Sequence, residues 1–419
     1  GVEYSYAEVT SIASPAKQSL QVLIEEVLEN NPELKSYEAE IQAAKGLRKT
    51  AGLWNNPEVS GSVGQKRVTS SSDGESSTAR GIAHEIAVTQ AIEWPGRIRL
   101  RKAIADRDIQ VAELSLEQFR GLLVTKAKVL AYLLTASQEK ASATREVADH
   151  FHDLREVLIK RDQAGLTPML ETRIIEAMEL NLHRKANEAS LASQAALFDL
   201  NQLRGAEPNT AFSLETIDFK FKPLNRNKEE LMALARGKDY QVRMRKVELE
   251  RQGYGLKLAK NERFPTITAG PAISQERAGD RERIIGASIS MPVPLWNRNQ
   301  GSITVAKAQQ TKAQVALSIA ERDAERRAVE MAAIYEMKLR EMDHWQPDSI
   351  QHFKEAAELG DRHYRLGAVP VSIYVELQSQ YLDAIVGLQD TKKEALESAG
   401  QLEILTGDEL SVIAQGESK

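Results

Sequence analysis

The sequence predicts a mainly α protein with a small β part, in which one helix–strand–strand–long helix–helix unit is used twice. Three observations carry that prediction. Long stretches almost free of glycine and proline hold a sparse apolar stripe at three- and four-residue spacing. Two short sections switch to period-two alternation. A Gly-x-x-Pro helix break occurs twice, as KRDQAGLTPMLETRIIEA and as HYRLGAVPVSIYVELQ, about two hundred residues apart. At such a break the glycine accepts left-handed C-terminal geometry, and the proline suits the next helix's first turn.

Composition agrees. Hydrophobic residues make up 42%, aromatics 5% and charged residues 27%, a balance for long helices with narrow seams rather than a thick core. The net charge of −5 comes without a basic block, so nucleic acid is not an expected partner. With no cysteine there are no disulfides, thiolate metal sites, Cys nucleophiles or N-terminal lipidated cysteine in this sequence. No apolar run reaches the roughly eighteen residues of a transmembrane helix, which leaves β-barrel strands open. The opening residues do not read as a basic-then-apolar leader; if the chain is exported, the expectation is a leader already removed.

The first repeat is read over residues 1–205. After a polar lead-in, Leu20 to about Leu53 is helical, and Pro32 kinks or divides it. Strands follow at about 57–67 and 80–94, around a loop VTSSSDGESST. In the second strand Ile82, His84, Ile86, Val88 and Ile92 share one face, and Glu85, Thr89 and Glu93 the other. That suits a strand between lipid and a wet lumen, or equally a hairpin laid over a helix. Trp94-Pro95-Gly96 ends it, and Trp94 and Trp296 are candidate interfacial anchors. A helix from Arg97 to about Gln163 would span about 100 Å at 1.5 Å per residue, too thinly apolar to stand alone. Beyond a tip at about 163–168, Met169 to Leu203 returns.

Residues 206–227 form a linker with a short alternating run, and 228–419 repeat the programme. Strands are expected at about 264–274 and 283–294 around the charged loop QERAGDRER. A long helix is expected from Ser302 to Arg365, a tip at about 365–370, and a return helix from Val371 to Leu405. Each half supplies two strands, and four cannot enclose a lumen. If the strands cross a bilayer every backbone group must be paired, so several copies must share one barrel. The strands thus require an oligomer of unspecified number.

The ordered elements resemble the TolC-like outer-membrane factors of bacterial efflux systems. Three stretches, ENNPELKSYEAEIQAAKGLRKTAGLWNNPEVSGSVG, TQAIEWPGRIRLRKAIADRDIQVAEL and ISMPVPLWNRNQGSITVAKAQ, are similar to the CzcC/CusC-type heavy-metal branch. The resemblance implies a homotrimer with a shared 12-stranded barrel in the outer membrane of a Gram-negative-type bacterium, continued by a periplasmic α-helical barrel. It implies outer-membrane lipid around the strands, a periplasmic adaptor docked on the tips and an RND-type inner-membrane pump. Transport, of heavy-metal cations on the branch-like stretches, would be passive. Drugs or other small organic molecules are the alternative cargo, and a soluble coiled-coil scaffold is the alternative class.

The same resemblance assigns adaptor docking to Gly165, Leu166, Thr167 and Pro168 in the first tip. In the second it assigns Arg365, Leu366, Gly367, Ala368 and Pro370, all of which also serve as helix caps. It assigns aperture or selectivity roles to Glu171 and Glu376, where a carboxylate repeated by symmetry would favour cations. Ile373 stands where the family places another acid, so that ring is incomplete. No resident metal or cofactor is expected: the seven histidines are scattered, and His150-x-His152 points to two helix faces. No catalytic grouping is recognisable, so the chain reads as a non-enzyme.

Overall fold

The protein is described by a computed structural model covering residues 17–72, 75–162, 169–215, 217, 219–345, 348–407 and 413–415. Its order is α1 (Leu20–Asn30), α2 (Pro32–Ala51), β1 (Glu58–Ser72), β2 (Glu75–Ile92), α3 (Arg97–Asp162) and α4 (Met169–Leu203). There follow β3 (Phe219–Phe221), α5 (Lys228–Lys238), α6 (Tyr240–Asn261), β4 (Ile267–Ala278) and β5 (Asp280–Ser290). The chain closes with α7 (Gln300–His344), α8 (Ser349–Arg365), α9 (Val371–Thr406) and β6 (Ile413–Gln415).

Pro32 divides the first helix. Asn31 has extended ψ, its side chain accepts from the Glu33 N–H and donates to the Leu203 carbonyl, and Pro32 starts α2, where its missing N–H costs nothing. The second half breaks likewise: Asp239, buried and extended, separates α5 from α6, with Arg327 3.5 Å from its carboxylate. The helix expected from Ser302 to Arg365 is two helices, α7 and α8. Pro347 lies in the sequence between them, and a proline both lacks the ladder donor and turns its predecessor away from helix.

Strand boundaries also need correction. The stretches expected as loops are largely strand: β1 runs to Ser72 and β2 starts at Glu75, while β4 and β5 meet around Gly279. Polarity misled the reading. Val68, Thr69 and Thr78 favour extended backbone, and Gly279, at φ +94°, supplies a tight reversal that lets charged residues pair across it. At the helix-proximal ends the strands stop earlier than expected, with β2 ending at Ile92, β4 starting at Ile267 and β5 ending at Ser290.

The chain divides into two compact units that both draw on both halves of the sequence. One gathers Gly1–Ser36, Leu116–Tyr240 and Glu321–Lys419, the other Tyr37–Ser115 and Gln241–Ala320. In the first, Leu23, Val27, Ala127, Ala131, Leu200 and Leu396 form a dry seam among helices, and β3 pairs antiparallel with β6. The second holds an antiparallel sheet in the order β1-β2-β4-β5. Gly81 sits where β2 and β4 approach: a Cβ there would fall 1.1 Å from the Arg277 carbonyl oxygen.

Candidate functional site

Register sorts the four-stranded sheet into two unlike faces. Ile82, Ile86 and Val88 on β2 lie opposite Gln65, Gly61 and Val59 on β1; Ile86 also pairs with Ile273, and Ile273 with Ile285. With Ile92 and Ile289 these make an apolar face, and all the isoleucines and valines named here are exposed to solvent in the single chain. The other face carries Ser60, Ser62, Glu85, Ser274, Glu276, Glu282 and Ser288. There Lys66 Nζ donates to Glu276 at 2.5 Å and Glu282 at 3.1 Å, reaching over Gly81, which offers no side chain in its path. Along β2 the apolar face runs from Ile92 to Ile82, about 34 Å of strand; tilted at about 40° it is about 26 Å tall, the height of a barrel's lipid belt. Strands β1 and β5 are the sheet's edges, and neither pairs with a further strand among the described residues.

Where the strands join the helices, Arg97 is buried and donates to Asn261 Oδ1, Thr266 Oγ1 and the Phe264 carbonyl at 3.1, 2.8 and 2.8 Å. Arg101 grips Glu93 with two 2.7 Å bonds. Trp94 stacks on Phe264 at 4.6 Å, whereas Trp296 is 88% exposed. The two tryptophans, equivalent in sequence, therefore do different things.

In the other unit, the second tip is a complete glycine-capped turn. Gly367, at φ +72°, donates to the Tyr364 carbonyl, and Ala368 donates to that of His363. Pro370 is the N-cap of α9, one position before the first-turn place expected of it. Leu366 is 81% exposed, and Arg365, Gly367, Ala368 and Pro370 are exposed too, with Arg365 held to Asp361 at 2.8 Å. Gly165, Leu166, Thr167 and Pro168 lie outside the described residues.

Glu171 and Glu376 stand in unlike surroundings. Glu376 is exposed and, among the described residues, accepts only from Gln380 one turn on, at 2.6 Å. Glu171 is half-buried and accepts from the Tyr364 hydroxyl at 3.0 Å, which ties α4 to α8. Tyr364 stacks on buried Tyr374 at 5.3 Å, and Tyr374 in turn meets Phe151 of α3. Burial pushes the Tyr374 phenol up, so it stays neutral. Sequence reasoning did not single out this tyrosine pair; the signal was HYRLGAVPVSIY, with a tyrosine on either side of the glycine turn. Sequence reasoning also missed Glu179, buried on α4 with His152 Nδ1 at 2.9 Å and Arg155 at 3.1 Å. Among the described residues no three His, Asp or Glu side chains are placed to hold a metal ion, and no helix is long and apolar enough to cross a membrane.

An open sheet, apolar on one face and polar on the other, occurs in this chain with long helices and a glycine-capped tip, the elements expected from the resemblance to TolC-like outer-membrane factors. In comparison with known proteins, residues 23–206 match the model of the outer membrane efflux protein family. The cobalt-zinc-cadmium resistance protein CzcC of Cupriavidus metallidurans is 24% identical over 225 residues, 53% of this chain and 53% of that protein. The match thus spans about half the length of this curated relative. In fold the chain is similar to the CmeC outer membrane channel of Campylobacter jejuni, with a TM-score of 0.71 and 18% identity, covering 100% of this chain and 94% of that one. It is similar too to CusC, whose structures concern folding and transmembrane channel formation, with a TM-score of 0.69 and 14% identity over 93% and 91% of the two chains.

Proposed function

We propose that this chain is one subunit of a homotrimeric outer-membrane duct, the exit component of a tripartite efflux pump of a Gram-negative-type bacterium. The observation that carries the reading is the two-faced sheet, with both edges unpaired among the described residues. Its apolar face suits lipid, its polar face suits water, and its edges demand strands from other copies, since an unpaired edge in hydrocarbon costs several kcal/mol per group. Three copies would close a barrel of twelve strands, with the helices on the periplasmic side. The recurrence of element order, including the breaks at Asn31 and Asp239, supports a duplicated chain with repeats 1–205 and 228–419.

The duct conducts passively, without catalysis. Exposed Leu366 and Ala368 on the rigid turn suit docking of a periplasmic adaptor, with the 163–168 tip as its counterpart; an RND-type pump supplies the energy. Glu376, exposed and free of any cation among the contacts described, suits a cation-favouring ring around the aperture, while Glu171 in its bond to Tyr364 suits a latch between helices. The likeness to CzcC and CusC supports heavy-metal cations as the cargo. The test is gene deletion followed by exposure to two panels. Sensitivity to divalent or monovalent metals supports the assignment; a change confined to dyes and antibiotics transfers the cargo to small organic molecules. Extraction of the protein in buffer without detergent would overturn the duct altogether.

A further inference from the structure

The apolar face of the sheet ends in arginine. At the hairpin end Arg67 of β1 lies directly across from Arg80 of β2, and Arg277 of β4 directly across from Arg281 of β5. Arg283 is two residues along on the same face. All five are exposed, and register puts no acidic residue on this face among the described residues; Glu58, Glu85, Glu276, Asp280 and Glu282 all fall on the other. The cation on that other face, Lys66, is already held by two glutamates, whereas none of the five arginines makes an ion pair with a described residue. Like charges directly opposite on neighbouring strands destabilise a sheet. Two such pairs side by side call for an anion between them.

Position identifies the anion. Arg80 is the next residue on its face after Ile82, where the apolar belt ends, and Arg277 and Arg281 share the row of Ile82. Arginine stems can lie along the edge of the belt while the guanidiniums reach the headgroup layer. There a guanidinium fork matches phosphate oxygens in pairs. We propose that Arg67, Arg80, Arg277, Arg281 and Arg283 form a binding surface for the phosphate groups of the outer leaflet's lipid. The proposal rests on the outer-membrane reading and adds a particular lipid chemistry to it.

The test uses the full-length assembly in detergent, with phosphorylated lipid A and dephosphorylated lipid A of the same acyl chains as probes. Lipid retained through gel filtration is measured for the natural protein, for the Arg277→Gln, Arg281→Gln, Arg283→Gln triple variant, and for Lys66→Gln on the polar face. The natural protein should retain the phosphorylated lipid at least about tenfold better, and the triple variant should lose about fivefold per arginine. Lys66→Gln should retain it unchanged. If the triple variant does not assemble, Arg67→Gln with Arg80→Gln makes the same comparison. Equal retention of both lipids by the natural protein, or undiminished retention by the arginine variant, overturns the arginine surface while leaving the lipid belt intact. Retention of neither lipid overturns the outer-membrane reading itself.

Discussion

Tyr364 shows how much one side chain near the tip contributes. Its ring stacks on Tyr374, its carbonyl caps the Gly367 turn, and its hydroxyl holds Glu171. In a double-mutant cycle, Tyr364→Phe and Glu171→Gln should show a coupling of about 1 kcal/mol, since the carboxylate is only half-buried and solvent offsets part of a charge-assisted bond. Additive effects in thermal denaturation would show that the bond does nothing. Arg97 is a stiffer case. Arg97→Ala unpairs a carbonyl and two polar side chains at the strand–helix junction, and should cost roughly 2–4 kcal/mol, read as a lower unfolding midpoint. Arg97→Lys should not restore it, because the three bonds leave from three different guanidinium nitrogens and a single compact ammonium nitrogen does not span their acceptors. A midpoint unchanged in Arg97→Ala would contradict this role.

Among the elements, what could be read from the sequence depended on periodicity and on punctuation. The uninterrupted α3 and the return helix α4 were legible because no proline falls inside them and their apolar spacing holds. The β2 face was legible because Ile82, Ile86, Val88 and Ile92 keep step. The outer parts of the hairpins were not, since serine, threonine and charge read as loop where they are in fact strand projecting beyond the apolar belt. Glu171 and Glu376, equivalent candidates for the aperture in the sequence, are told apart by the Tyr364 bond, a contact of high sequence separation that is invisible to pattern. The two sheet faces give a direct test at this scale. Ile285→Arg, on the apolar face, should cost about 2–4 kcal/mol of barrel stability, whereas Ser62→Arg, on the polar face, should cost little. Equal effects in heat-modified gel mobility would mean that the faces are not lipid and lumen.

For the whole molecule, the central claim is that β1 of one copy pairs with β5 of the next around a hollow axis. The chain offers a clean background for testing it, because it contains no cysteine. Single cysteines introduced along β1, at Val59 to Lys66, would be combined with single cysteines along β5, at Ile284 to Ile289, and oxidised in isolated outer membranes. Disulfide-linked dimers and trimers should appear on denaturing gels for register-matched pairs only, with the same positions unlinked in detergent-dissociated chains. Only monomer at every pairing, from protein that still fractionates with the membrane, would contradict it.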